Sequence, residues 1–159
     1  MKAINFLIPA MIIAADQMIK RLVTQNAAEN VLWKIEGFAE IVCSKNTGAA
    51  FSLLSGQTVL IACLSVVLLI GIVCFAFRSL RLTRAGKLAF LCLIGGGVGN
   101  LLDRLLFGYV IDYIRLTFID FPVFNFADIV ITCSVGFLMI LLMSDRLEWT
   151  QEKNNGRNT

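Results

Sequence analysis

Between Val59 and Phe77 the chain carries no charged residue and almost nothing that is not apolar. A run of that length matches the hydrocarbon thickness of a bilayer, where backbone N–H and C=O groups must be satisfied inside the segment, so it is expected to be a transmembrane helix. Three further stretches read the same way, at about 4–23, 88–107 and 128–143. The chain has 159 residues, 58% hydrophobic and only 16% charged, against about 25% charged in an ordinary soluble domain. The expected fold is therefore membrane all-α. It is a four-helix transmembrane bundle, one integral membrane domain over 1–159, with a small extracytoplasmic β element between helices 1 and 2 and a tail over about 145–159.

The first run follows Met1-Lys2, lacks a small-x-small cleavage site and continues through Asp16 to Val23, so it reads as an uncleaved helix rather than a removed signal. From about 24 to 56 the composition turns mixed. Val31–Ile35 and Ala39–Ser44 read as short strands around Glu36-Gly37, and Trp33 suits headgroup depth. Asn46-Thr47-Gly48-Ala49-Ala50-Phe51 then reads as a tight turn.

Charge sets the orientation. Arg78, Arg81, Arg84 and Lys87 form a compact basic loop, which the positive-inside rule places in the cytoplasm. With both termini on that side, eight basic residues face three acidic ones there, and six basic face eight acidic ones outside. The segments 24–56 and 108–127 fall outside.

No histidine occurs anywhere, which excludes Ser-His and Cys-His nucleophiles and imidazole-bound metals. Cys43, Cys63, Cys74, Cys92 and Cys133 form no CxxC and read as small apolar fillers. No metal or cofactor is expected. A net charge of +3, without basic runs interleaved with aromatic residues, gives no footprint for nucleic acid.

The scarce polar residues crowd one region: Asn100, Asp103, Arg104, Asp112, Asn125 and Asp128. Polar groups at membrane depth are costly enough to mark a working site. Asp16 and Lys20, four apart on one helix face, read either as a self-neutralising ion pair or as positioning groups. Gly95, Gly96, Gly97 and Gly99 allow close approach of a neighbouring helix or of a bound chain. An Asp103–Arg104 pair beside Asn100 reads as an interfacial anchor or as support for a reactive carboxylate. Asp128 alone suits a helix cap. Joined by Asp112 from a connector between two helix ends, it suits more. Two carboxylates held together in a poorly hydrated place share a proton and titrate in separate steps. One is then a base for water and the other an acid for a scissile carbonyl, which is the pairing needed to hydrolyse an amide without a covalent intermediate.

In these stretches the chain resembles the lipoprotein signal peptidases, also called signal peptidase II. The matches are Asp16 to Lys20, Asn46 to Phe51, Gly96 to Arg104 with its Gly-Asn-x-x-Asp-Arg core, Val110-Ile111-Asp112-Tyr113, and Phe124-Asn125-Phe126-Ala127-Asp128, in the same order along essentially the whole length. The resemblance implies an aspartic endopeptidase of the bacterial inner membrane, with both termini cytoplasmic and its site near the outer face. It would cut diacylglyceryl-modified prolipoproteins just before the lipidated cysteine. By the match, Asp112 and Asp128 are the catalytic pair; Asn46, Gly48, Asn100, Asp103, Arg104, Asn125 and Ala127 surround substrate, and Asp16 and Lys20 support them. It also implies contact with membrane lipid, inhibition by globomycin-type cyclic peptides, and action as a monomer. Tyr113 stands where the family often has phenylalanine, and Phe126 where it more often has a smaller aliphatic residue. Two other classes fit less well. A transporter would spread ionisable groups through the bilayer, and an interaction module leaves two aspartates beside two asparagines without a purpose.

Overall fold

The structure is a computed structural model and describes residues 2–26, 31–48, 54–81, 83–144 and 148–149. Four helices form its frame: α1 Lys2–Gln25, α2 Thr58–Ser79, α3 Arg84–Phe107 and α4 Phe126–Met143. Five strands accompany them: β1 Trp33–Ile35, β2 Ala39–Asn46, β3 Leu80–Arg81, β4 Val110–Leu116 and β5 Glu148–Trp149. Each of the four expected spans lies within an observed helix. By length and composition, α3 and α4 are long and apolar enough to cross a membrane, and α2 contributes a shorter apolar stretch, Thr58–Cys74.

The third helix begins earlier than expected. Thr83 caps it, its side chain accepting the N–H of Gly86, so Arg84 and Lys87 belong to the first turn of α3 rather than to a loop. A hydroxyl at the N-cap satisfies a donor that the helix cannot, and long basic side chains are good helix formers. At the other end Gly108 takes φ 79 and returns its N–H to Arg104 O, a left-handed stop that suits glycine.

The β element differs most from expectation. β1 and β2 form the expected hairpin, but β2 also pairs antiparallel with β4, giving a three-stranded sheet in the order β1-β2-β4. The segment expected to be a plain connector is therefore a strand, and it brings Asp112 opposite Ser44. A register shift between Ile41 and Ser44 is the kind of irregularity that re-aims the side chains beyond it, and Asn46 lies in the part of the strand that follows it. The Ala49–Phe51 part of the expected turn lies outside the described residues. So does the expected tail, apart from β5, which pairs with β3 and joins the start of the tail to the α2–α3 turn.

α3 is the central helix and touches the other three. Its glycines explain how. A Cβ on Gly95 would lie 3.0 Å from Ile12 Cβ and 3.1 Å from Pro9 Cα of α1; on Gly96 it would lie 2.9 Å from Ala127 O of α4. On Gly99 it would lie 2.7 Å from Asp16 Oδ2. Of the two readings of this stripe, helix packing is what the structure displays.

Burial runs opposite to that of a water-soluble protein. Asp16, Asp103 and Asn125 are 0% exposed and Lys20 1%, whereas Val59 and Met143 are 79% and 86% exposed. Lys and Asp are almost never fully buried in soluble folds unless paired, and extended apolar surface marks contact with protein or lipid.

Candidate active site

Lys20 anchors the interior. Its Nζ lies 2.8 Å from Asp16 Oδ2, 2.8 Å from Asp103 Oδ2 and donates to Asn100 Oδ1 at 2.9 Å. An ammonium has three donors, and all three are used. Asp103 thus turns to Lys20 on α1 and not to Arg104. Neighbours in sequence on a helix point apart, so the expected Asp103–Arg104 pair does not form. Asp103 Oδ2 also accepts Ile111 N–H at 3.2 Å, which fixes the start of β4 beside Asp112. Gln17, which the sequence reading passed over, donates to Asp103 Oδ1 at 2.8 Å. Its only sequence signal was a third polar side chain in the turn holding Asp16 and Lys20.

Asn100 carries the connection onward. While its Oδ1 accepts from Lys20 and from Asn125 Nδ2 at 3.1 Å, its Nδ2 donates to Asp128 Oδ1 at 2.7 Å. Asn125 is the N-cap of α4 and forms a reciprocal capping box with Asp128: Asp128 N–H donates to Asn125 Oδ1 at 3.0 Å, and Asn125 N–H donates to Asp128 Oδ2 at 3.1 Å. The other donor role of Asn125 Nδ2 is to Asp112 Oδ1 at 2.7 Å, and Asn46 Nδ2 holds Asp112 Oδ2 at 2.8 Å. Asn46 is aimed by its own turn, since its Oδ1 accepts Gly48 N–H at 2.9 Å. All four oxygens of Asp112 and Asp128 therefore meet N–H donors from amides.

Arg104 stands over this pair. Its guanidinium donates to Gly48 O at 3.0 Å and Asn100 O at 3.3 Å, while its buried Nε has no hydrogen-bond partner among the described residues. Burial pushes the carboxyl of Asp112 from its ordinary range up to about 6; the donors Asn46 and Asn125 oppose the shift, and the nearby negative charge of Asp128 adds to it. Tyr113 is buried too, and burial raises its phenol to about 12. Its oxygen accepts Phe126 N–H at 3.0 Å.

A cavity of about 640 Å³ opens beside the two carboxylates. Asn46, Asn100, Arg104, Asp112 and Asp128 line it, and Phe121, Val123, Ile129 and Ile131 give it apolar wall. Gly48, Asp103, Asn125 and Ala127 stand behind that wall: Gly48 through its carbonyl to Arg104, Asp103 and Asn125 through the bonds above, and Ala127, 0% exposed, through its close approach to Gly96. Asp16 and Lys20 lie deeper still. Among the described residues no three His, Cys, Asp or Glu side chains gather as a metal site.

Apolar helices around a charged interior, with a carboxylate-lined cavity where α3, α4 and a small sheet meet, define a membrane enzyme. The sequence model of the family described as signal peptidase (SPase) II matches residues 8–144. Proteins named lipoprotein signal peptidase from Enterococcus faecalis and Dehalococcoides mccartyi are 31% and 37% identical to it, over 98% and 89% of this chain and 96% and 91% of theirs. Two solved structures, each titled as a bacterial membrane enzyme, superpose with TM-scores of 0.82 and 0.79 at 28% and 29% identity, covering 99% and 90% of this chain and 94% of each of theirs. The chain belongs to the signal peptidase II family and is a membrane protease.

Proposed function

We propose that this protein is an aspartic endopeptidase that removes the signal peptide from diacylglyceryl-modified prolipoproteins, cutting just before the lipidated cysteine. The observation that carries this reading is the pair Asp112 and Asp128, each held by amide donors, both open to one cavity with an apolar wall. Family membership supplies the substrate class; the cavity fits its chemistry, since a lipidated peptide needs polar catalysts beside an apolar surface.

The geometry is compatible with hydrolysis by this pair. Asp128, at the positive end of α4, takes a proton from a bound water as that water attacks the scissile carbonyl carbon. Asp112, whose buried carboxyl holds its proton to about pH 6, hydrogen-bonds the carbonyl oxygen. The tetrahedral intermediate collapses with transfer of a proton to the departing amine, breaking the C–N bond. Asn100, Asn125 and Asn46 orient both carboxylates without adding a charge, and Arg104 contributes a positive charge to the lining of the same cavity.

The four helices cross the bacterial cytoplasmic membrane in this reading. The site lies near the C-terminal end of α3, and Arg84 and Lys87 at its start, about 30 Å away for a helix rising ~1.5 Å per residue. The positive-inside rule puts the basic end and both termini in the cytoplasm, and the cavity near the outer face. Globomycin-type cyclic peptides would occupy the cavity in place of substrate, and a monomer suffices because both carboxylates come from one chain.

The test is cleavage of a purified lipidated precursor by the wild type and by Asp112→Asn and Asp128→Asn. Each substitution is expected to lower turnover at least ~10³-fold, as loss of one member of an acid–base constellation does, with unchanged expression. Near-normal turnover in either variant would refute the pair.

A further inference from the structure

Tyr113 follows Asp112 on β4, and side chains alternate between faces along a strand. Val110 and Asp112 line the cavity, so Ile111 and Tyr113 face away from it. The Tyr113 ring is 4% exposed and lies where the charge of Asp16 on α1 is felt. Its phenol oxygen accepts the backbone N–H of Phe126 at 3.0 Å. Phe126 is the first residue of α4, and the leading N–H groups of a helix have no partner within it. Asn125 takes the N–H of Asp128 with its side chain; Tyr113 takes that of Phe126.

We infer that Tyr113 is a positioning residue: its phenol oxygen ties the first turn of α4 to β4 and so sets Asp128 against Asp112 without touching substrate. The inference rests on the reading of these two aspartates as the reactive pair. The linkage is short, because Asp112 and Tyr113 are adjacent on a hydrogen-bonded strand and Phe126 and Asp128 share one helical turn. The backbone repeats the tie one step away, with Phe124 N–H donating to Ile114 O at 3.0 Å and Ile114 N–H to Phe124 O at 2.8 Å. That bridge fixes the chain before the cap. The tyrosine bond fixes the helix itself. A phenol raised to about 12 stays neutral through the working range and keeps its oxygen available. Removing the hydroxyl leaves a part-buried donor unpaired, which is costly enough for the helix end to shift, and small displacements of reacting groups cost large factors in rate.

The experiment is steady-state cleavage of the lipidated precursor by the wild type, Tyr113→Phe, Phe126→Pro and the double variant, with Asp112→Asn as control and thermal unfolding in detergent for each. Tyr113→Phe keeps the ring, so it is expected to fold, to lower kcat about tenfold and to leave KM within about twofold, since the phenol lies outside the cavity. Phe126→Pro deletes the donor at a position where proline is favoured, and Asn125, at φ -131 and ψ -179, already has the extended backbone that a residue before proline needs. In that background the phenol oxygen would press on the proline ring, so Tyr113→Phe is expected to raise kcat there instead of lowering it. An unchanged kcat in Tyr113→Phe overturns the inference, with or without the proline variants. A raised KM at constant kcat overturns it in favour of substrate contact, and an equal loss in both backgrounds shows that the effect does not run through this bond. Full activity in Asp112→Asn would instead defeat the reading of the pair, a result independent of what Tyr113→Phe does.

Discussion

Two carboxylate pairs lie within one bundle and are treated in opposite ways. Asp16 and Asp103 share a lysine, with Nζ–O distances of 2.8 Å to each, and are 0% exposed. Among the described residues Asp112 and Asp128 receive amide donors only, and both open onto a cavity. A shared cation ties two carboxylates into one fixed group whose members cannot be removed singly without cost. Amides orient a carboxylate without a full charge, and burial lifts Asp112 to about 6 against their pull. The first pair is thus suited to holding helices together and the second to chemistry.

The sharpest way to break this comparison is to remove the lysine. Lys20→Met leaves two buried carboxylates uncompensated, a loss of about 3–5 kcal/mol for a broken buried pair. The variant is expected to fail to accumulate as a stable membrane protein, measured by expression and thermal unfolding in detergent. Asp112→Asn, by contrast, should unfold no more easily than the wild type while losing its turnover. If Lys20→Met were as stable as the wild type and merely inactive, the division of labour would be wrong.

Next in size is the response to pH. With Asp112 acting as the proton-bearing member, kcat/KM is expected to fall as pH rises through about 6, approaching tenfold per unit, in a pH–rate profile on the lipidated precursor. Stability follows the same sign. A carboxyl raised from its unfolded value favours the fold below that value, and the contribution is lost as pH rises through about 6. Asp112→Asn should remove this dependence from thermal unfolding. A profile that only climbs through pH 6 would exchange the roles of the two aspartates.

Gly99→Ala sharpens the comparison at smaller scale. The new methyl would meet Asp16 Oδ2 at 2.7 Å, an atom already locked by Lys20, whereas in Gly97→Ala it would meet the end of the flexible Leu69 side chain at 2.8 Å. Thermal unfolding should show about 1–3 kcal/mol lost for Gly99→Ala, as for overpacked cores, and clearly less for Gly97→Ala.

What could be read from the chain alone follows the range of the interactions. Helices announce themselves through local apolar runs, and the polar residues of the site stood out because so few others share those runs. The partner of Asp103 is not legible in the sequence because adjacency suggests Arg104, whereas the helix points Arg104 elsewhere and Lys20 arrives from another helix. The strand carrying Asp112 resembles a connector in sequence because Val110, Ile111, Asp112 and Tyr113 are all buried, which erases the alternation that reveals a half-exposed strand. The Tyr113 bond to Phe126 N–H left no trace, since a backbone donor is the same at every residue.

Lys20 and Asn100 lie 80 residues apart in the chain, with Asp103 later still, and translation makes them in that order. If α1 is one of the proposed spans, it would meet lipid with Asp16, one helical turn away, as the counter-charge for Lys20. The 2.8 Å contact between those two would then shelter the ammonium until the third helix is synthesised and completes the set.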